Sequence, residues 1–97
     1  MKSETFISVW DALAETEQEA ANLKARSALL QAISKQVHAW AGTQDKAAKR
    51  LGLTRPRLND LLNGKLNKFS LDALVNIAAS ARLTVEIRVR NQSKKAA

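Results

Sequence analysis

The sequence predicts a mostly helical domain that carries one β-strand at its C-terminal end. Three observations predict this fold class. Apolar residues recur at helical spacing between residues 23 and 40, two short helical patterns meet at a glycine within residues 44–62, and apolar and polar residues alternate over residues 83–90. A chain of 97 residues forms one domain with a single core, which leaves it marginally stable without a partner.

Capping residues predict where the first two helices begin. Ser8 and Asp11 are similar to a capping box and predict a short helix near the N-terminus. Thr16 and Glu19 form a better capping box, which opens a long helix running to about Trp40. Because one face of this long helix is apolar, we expect it to be the scaffold on which the next two helices pack; its residues are Leu23, Leu30, Ile33, Val37 and Trp40.

The segment from Thr43 to Lys65 reads TQDKAAKRLGLTRPRLNDLLNGK and predicts two short helices joined by a tight turn. The first covers residues 44–51 and faces inward with Ala47, Ala48 and Leu51. Gly52 supplies the turn, because glycine tolerates φ > 0. Thr54 then caps the second helix, whose buried side consists of Leu58, Leu61 and Leu62. This spacing is typical of a DNA-binding helix-turn-helix.

The same segment resembles the helix-turn-helix of the lambdoid phage repressor superfamily, also called Cro/repressor-like or XRE. The Thr-Gln opening and the Asn63-Gly64-Lys65 ending align with that superfamily without a gap. The flanking sequences FISVWDALAETEQEA and FSLDALVNIAASARLTVEIRV resemble small bacterial antitoxins of the HigA type, which belong to toxin–antitoxin operons. The resemblance implies a lambda-repressor-like helical bundle.

The resemblance also implies that the second helix of the motif lies in the major groove, with its N-terminal residues at the base edges. By position, the base-reading residues are Thr54, Arg55, Pro56, Arg57, Asn59 and Asp60. Arg55 and Arg57 can each make a bidentate contact with guanine, and Asn59 can contact adenine. Asp60 can accept from cytosine N4, although an i, i+3 ion pair with Arg57 is an equally good interpretation. Pro56 stiffens the first turn.

Contacts with DNA phosphates are expected from the residues around this helix. Gln44 begins the first helix of the motif, at the position where the superfamily binds the DNA backbone. Lys49 and Arg50 lie on the exposed side of that helix. The superfamily lays the loop after the second helix along the backbone, and its residues here are Asn63, Lys65 and Lys68. For each lysine, simple solvation is the alternative interpretation.

The C-terminal part of the sequence changes from helical spacing to alternation. Ser70 and Asp72 begin a helix, since a hydroxyl caps it and a carboxylate favours its first turn. The following strand needs a neighbour for its backbone groups. That neighbour is either the stretch Thr5–Val9 or the same strand of a second copy, and the second choice gives the two-fold symmetry of palindromic operators. The expected dimerisation residues are Leu83, Val85, Ile87 and Val89.

Charge divides the chain into an acidic N-terminal arm and a basic remainder. One lysine against five carboxylates gives residues 1–22 a net charge of −4, which leaves +11 for residues 23–97 within the total of +7. The predicted organisation is an acidic arm (1–22), a helix-turn-helix domain (23–82), a dimerisation strand (83–90) and a flexible tail (91–97). The basic remainder suits a polyanion such as double-stranded DNA.

Three functions are compatible with these features. The first is an operator-binding repressor that is also an antitoxin, whose acidic arm clamps a basic ribonuclease toxin. The second is a stand-alone transcriptional repressor of the XRE type, and the third is a protein-interaction module without a DNA role. No cysteine, catalytic motif or membrane-length apolar run is present in the sequence. We therefore expect a cytoplasmic protein that is not an enzyme and binds no metal or other cofactor.

Overall fold

Hydroxyl side chains cap all four α-helices in the part of the chain that the structure describes. In this computed structural model those residues are 16–91. The helices are α1 (Glu17–Ala39), α2 (Gln44–Leu51), α3 (Arg55–Leu62) and α4 (Leu71–Ser80), and a 3₁₀ turn (Leu66–Lys68) precedes α4. Each cap accepts a backbone N–H three residues ahead, at 3.0–3.3 Å, and the caps are Thr16, Thr43, Thr54 and Ser70. The short helix expected near Ser8 lies outside the described residues, as does the stretch Thr5–Val9.

The turn between α2 and α3 has the backbone that the sequence predicts. Gly52 has φ of 72°, in the left-handed region. Its N–H donates to the Lys49 carbonyl oxygen at 3.1 Å, and the N–H of Leu53 donates to the Ala48 carbonyl oxygen at 2.8 Å. These two bonds satisfy carbonyl groups that the end of a helix leaves without partners. The chain therefore reverses within two residues and brings α3 against α2.

One apolar core lies between the long helix and the three shorter ones. Helix α1 packs mainly on α4, while α2 packs on α3. The predicted inward residues of α2 are all buried, and so are Leu58 and Leu61 of α3, whereas Leu62 is only half-buried. The largest side chains that the core encloses almost completely are Phe69, Ile33, Leu58, Leu61 and Leu74.

Two polar side chains of α1 bind the loops on either side of α4. Arg26 donates from Nη1 to the carbonyl oxygens of Leu66 and Phe69, at 3.0 and 3.1 Å. Gln36 donates from Nε2 to the carbonyl oxygen of Ala81 at 2.9 Å. Charged and amide donors of this kind satisfy loop carbonyls that face the protein interior. They fix the position of α4 and of the loop that follows α3.

The predicted C-terminal β-strand is wrong. Residues 83–91 have no regular secondary structure, and the described chain, residues 16–91, contains no strand. Alternation is a side-chain pattern, whereas a strand also requires a neighbouring backbone to pair its N–H and C=O groups. The four helices nevertheless fit the predicted helical bundle.

The side chains of the C-terminal segment are divided between the core and the surface. Leu83 is half-buried against the core, and its N–H donates to the Ala78 carbonyl oxygen at 3.0 Å. Val85 is 36% exposed, while Ile87 and Val89 are 81% and 87% exposed. Only the first apolar residue of the alternating pattern therefore belongs to the core of this domain.

Candidate nucleic-acid interface

Helix α3 presents a polar surface on the side opposite its buried leucines. Leu58 and Leu61 have no exposed surface, whereas Thr54, Arg55, Pro56 and Asn59 are exposed. Pro56 lies in the first helical turn, where its missing N–H removes no intrahelical bond. The polar residues at the start of α3 are therefore held on a rigid element and are accessible to a ligand.

Arg55, a predicted base reader, is bound to two side chains of α2. Its Nη1 donates to the Asp45 carboxylate at 2.7 Å, and its Nη2 donates to Gln44 Oε1 at 3.4 Å. Both partners lie in the first turn of α2, so the side chain spans the two helices of the motif. The side chains of Arg55 and Asp45 are 52% and 70% exposed.

Arg57 lies against the loop that follows α3. Its Nη1 donates to the carbonyl oxygen of Lys68 at 2.8 Å, and its guanidinium lies 4.2 Å from the centre of the Phe69 ring. This geometry combines a charge-assisted hydrogen bond with a cation–π contact. Arg57 is half-buried and links α3 to the loop before α4.

Asp60 lies between two basic side chains of the same loop. Its carboxylate oxygens are 3.7 Å from Lys65 Nζ and 3.9 Å from Lys68 Nζ. The Asp60 side chain is 22% exposed, whereas each lysine side chain is 51% exposed. The structure thus pairs Asp60 with two lysines, whereas the guanidinium of Arg57, the partner expected from the sequence, lies over the Phe69 ring.

The predicted phosphate-binding residues form two groups beside α3. Gln44, Lys49 and Arg50 are exposed on α2, and the Arg50 guanidinium lies 3.8 Å from the centre of the Trp40 ring. The second group follows α3 and is also exposed; it consists of Asn63, Lys65 and Lys68. Basic and amide donors on both sides of a polar helix can bind the two phosphate backbones that border a major groove.

A shallow pocket of about 220 Å³ lies beside the first of these groups. Trp40, Gln44, Lys46 and Arg50 line it, with the N-terminal end of α2 at one side. Lys46 is exposed and was not among the phosphate-binding residues predicted from the sequence. Its place next to Gln44 and Arg50 adds a positive charge to that group.

A family model described as a helix-turn-helix domain matches residues 12–90. The chain belongs to this helix-turn-helix family. The matched range includes α1 and the irregular C-terminal segment, so the helix-turn-helix family unit extends well beyond the two helices of the motif. The comparison with curated proteins found no match.

Two further findings come from the described part of the helix-turn-helix chain. None of its helices is long and apolar enough to cross a membrane. Its His, Asp and Glu side chains form no group of three or more that could hold a metal ion.

Sequence reasoning did not find several residues that shape this surface. Asp45 precedes Arg55 by ten positions and Phe69 follows Arg57 by twelve, so neither contact has a local sequence signal. The pairing of Arg26 with the loop carbonyls is more distant still, at 40 and 43 positions. The sequence signal for these contacts is that residues 44–69 are mainly basic but include two acidic residues and one aromatic residue.

Proposed function

We propose that this helix-turn-helix protein is a sequence-specific regulator of transcription that binds double-stranded DNA. The observation that carries the proposal is the polar start of α3, held opposite two fully buried leucines and bordered by exposed basic residues on α2 and on the following loop. A helix fits the width of the major groove, where each base pair presents a distinct set of donors and acceptors. Thr54, Arg55 and Asn59 are the best-placed readers.

The test is binding of the full chain to the DNA upstream of its own gene and to random DNA of the same length, across a salt series. We expect selective binding to the upstream DNA, with an affinity for both DNAs that falls as salt rises, because phosphate contacts release counterions. Fluorescence anisotropy gives both affinities. Equal affinity for the two DNAs at every salt concentration would refute sequence-specific regulation and favour a protein-interaction module.

Two variants distinguish base recognition from electrostatic contacts with phosphates in the same assay. Arg55→Ala should weaken operator binding by about 1–3 kcal/mol and relax selection at one base pair, because a bidentate guanine contact is lost. Lys65→Ala should weaken binding to all sequences alike and reduce the salt slope by about 1. If Arg55→Ala weakens operator and random DNA equally, Arg55 does not read a base.

The proposed DNA-binding form is a homodimer on a palindromic operator. An apolar groove of about 590 Å³ lies between α1, α4 and the C-terminal segment. Alanines of α1 form much of its wall, together with Leu71 and Val75 of α4. Ile87, which also lines this groove, and Val89 are both largely exposed. A surface with both an apolar groove and exposed apolar side chains can be self-complementary about a two-fold axis. Two copies could then pack through these side chains without any strand pairing.

We also propose that the protein is an antitoxin that represses its own operon. The support is the resemblance to HigA-type regulators and the acidic arm, residues 1–22, whose net charge of −4 suits a basic ribonuclease toxin. A stand-alone repressor is the alternative. A toxin-like reading frame next to the gene would favour the antitoxin.

Removing residues 1–15 is expected to abolish toxin neutralisation while operator binding remains. The deletion ends before the Thr16 cap of α1, so it keeps every core residue found among the described residues 16–91. Growth during co-expression with the product of the adjacent reading frame measures neutralisation. Arg55→Ala is the matched control, since it should lose repression and still neutralise. Full neutralisation by the shortened chain would refute a role for residues 1–15 of the arm.

A further inference from the structure

The ion pair between Asp45 and Arg55 lies on the surface proposed to face DNA. Its 2.7 Å distance joins the first turn of α2 to the first turn of α3. Both side chains are more than half exposed. Exposed pairs of this kind contribute little to folding stability, because water and salt screen them and two side chains must be ordered. Stability therefore does not explain why a carboxylate stands on this face.

A carboxylate at this position has a cost for DNA binding. It adds negative charge close to where phosphates would lie, beside the otherwise basic surface formed by Lys46, Lys49 and Arg50. One alternative role is to favour the N-terminal dipole of α2, since Asp45 lies in its first turn. Asp72 has the same position in α4 without an arginine partner among the ion pairs of residues 16–91. The dipole interaction can therefore be tested separately.

The guanidinium of Arg55 has enough N–H donors to bind Asp45, Gln44 and a DNA base at the same time. Each Nη of arginine carries two N–H groups. Asp45 and Gln44 each take one hydrogen bond from the two Nη atoms of Arg55, so donors remain for a second acceptor. A side chain fixed at two points loses less conformational entropy when it binds a base than a free one does. A side chain fixed in this way also reaches fewer alternative acceptors, so it discriminates better between guanine and the other bases.

We propose that Asp45 is a positioning residue that holds Arg55 for contact with guanine and so contributes to base selection. The proposal rests on the proposed function, in which Arg55 reads a base. Asp45 itself contacts no base. Its effect is to lower affinity for DNA in general while it increases the difference between the preferred base pair and the other three.

The test compares base preferences of the full chain and its variants by selection from a randomised double-stranded DNA library, followed by affinity measurements on single-base-pair variants of the selected site. Asp45→Asn should bind random DNA more tightly, by about twofold or more, because a negative charge near phosphates is removed. At the base pair read by Arg55, its discrimination should fall about fivefold or more, a part of what one bidentate guanine contact supplies.

Three further variants make the result specific. Asp72→Asn removes the same kind of first-turn carboxylate from α4 and should leave base discrimination unchanged. Asp45→Glu keeps the carboxylate and should restore part of the discrimination. The double variant Asp45→Asn with Arg55→Ala should discriminate no worse than Arg55→Ala alone, because the two residues act through one contact. Thermal unfolding of each variant confirms that it is folded.

The possible failures are distinguishable. If Arg55→Ala loses discrimination and Asp45→Asn keeps it, the positioning role is overturned while the proposed function stands. If neither variant changes discrimination although the wild type selects a site, both the positioning role and the reading role of Arg55 are overturned. If no site is selected at all, the proposed function itself fails, and the positioning role fails with it.

Discussion

Replacing Phe69 with alanine is expected to lower the free energy of unfolding by about 3–5 kcal/mol, the range found when a buried aromatic ring is deleted from a core. The Phe69 side chain is only 2% exposed, and its ring lies beneath the guanidinium of Arg57 at 4.2 Å. Its backbone carbonyl also accepts from Arg26. The substitution therefore leaves a cavity and removes the aromatic partner of Arg57.

Urea or thermal unfolding followed by circular dichroism measures this loss. Because small domains have total stabilities of about 5–15 kcal/mol, the variant should be partly unfolded near physiological temperature. Leu66→Ala is the matched control, since Leu66 lies in the same loop and is only half-buried. It should cost less than Phe69→Ala. A loss below about 1.5 kcal/mol for Phe69→Ala would mean that the ring is not a main element of the core.

Phe69 also connects the core to the loop that is proposed to face DNA. Arg57 packs on its ring and donates to the carbonyl oxygen of Lys68, while Asp60 lies near the amino groups of Lys65 and Lys68. The loop expected to follow the DNA backbone is thus held by two side chains of α3. The positions of Lys65 and Lys68 therefore depend on the packing of Arg57 on Phe69, which sequence spacing alone does not reveal.

The features predicted correctly depend on neighbours within one helical turn. Thr16, Thr54 and Ser70 cap helices because a hydroxyl on a residue with extended backbone angles reaches the free N–H three residues ahead. Gly52 occupies the left-handed region because few other residues tolerate it. Leu58 and Leu61 are buried because an amphipathic helix has only one apolar side.

The features that sequence reasoning missed or predicted wrongly depend on distant parts of the chain. Asp45 meets Arg55 only because α2 and α3 are joined by a tight turn that brings their first turns together. The alternation over residues 83–90 predicted a strand, but a strand exists only when another backbone lies beside it. The sequence shows which side chains are apolar, and it does not show whether a backbone partner is present. Among residues 16–91, no segment forms a strand beside residues 83–90.

The substitution of both Ile87 and Val89 by glutamate is expected to separate the proposed dimer and to lower operator affinity by about 100-fold or more. Ile87 and Val89 are 81% and 87% exposed, so the change should alter the folding stability of one copy by no more than about 0.5 kcal/mol. In a dimer the same side chains would be buried, and two carboxylates there would be left without partners. Two joined half-site contacts gain about 10²–10⁴ in avidity, which separate copies lose.

Sedimentation equilibrium measures the mass, and anisotropy with palindromic and half-site DNA measures the affinity. Gln31→Glu with Asn76→Glu is the matched control, because it adds two carboxylates at exposed helical positions outside the apolar groove. That control should remain dimeric and keep its operator affinity. The glutamate variant should bind a half-site as the wild type does, since its α3 is unchanged. If the glutamate variant stays dimeric, the interface lies elsewhere. If the wild type is a monomer and still binds its operator tightly, DNA binding does not require a dimer.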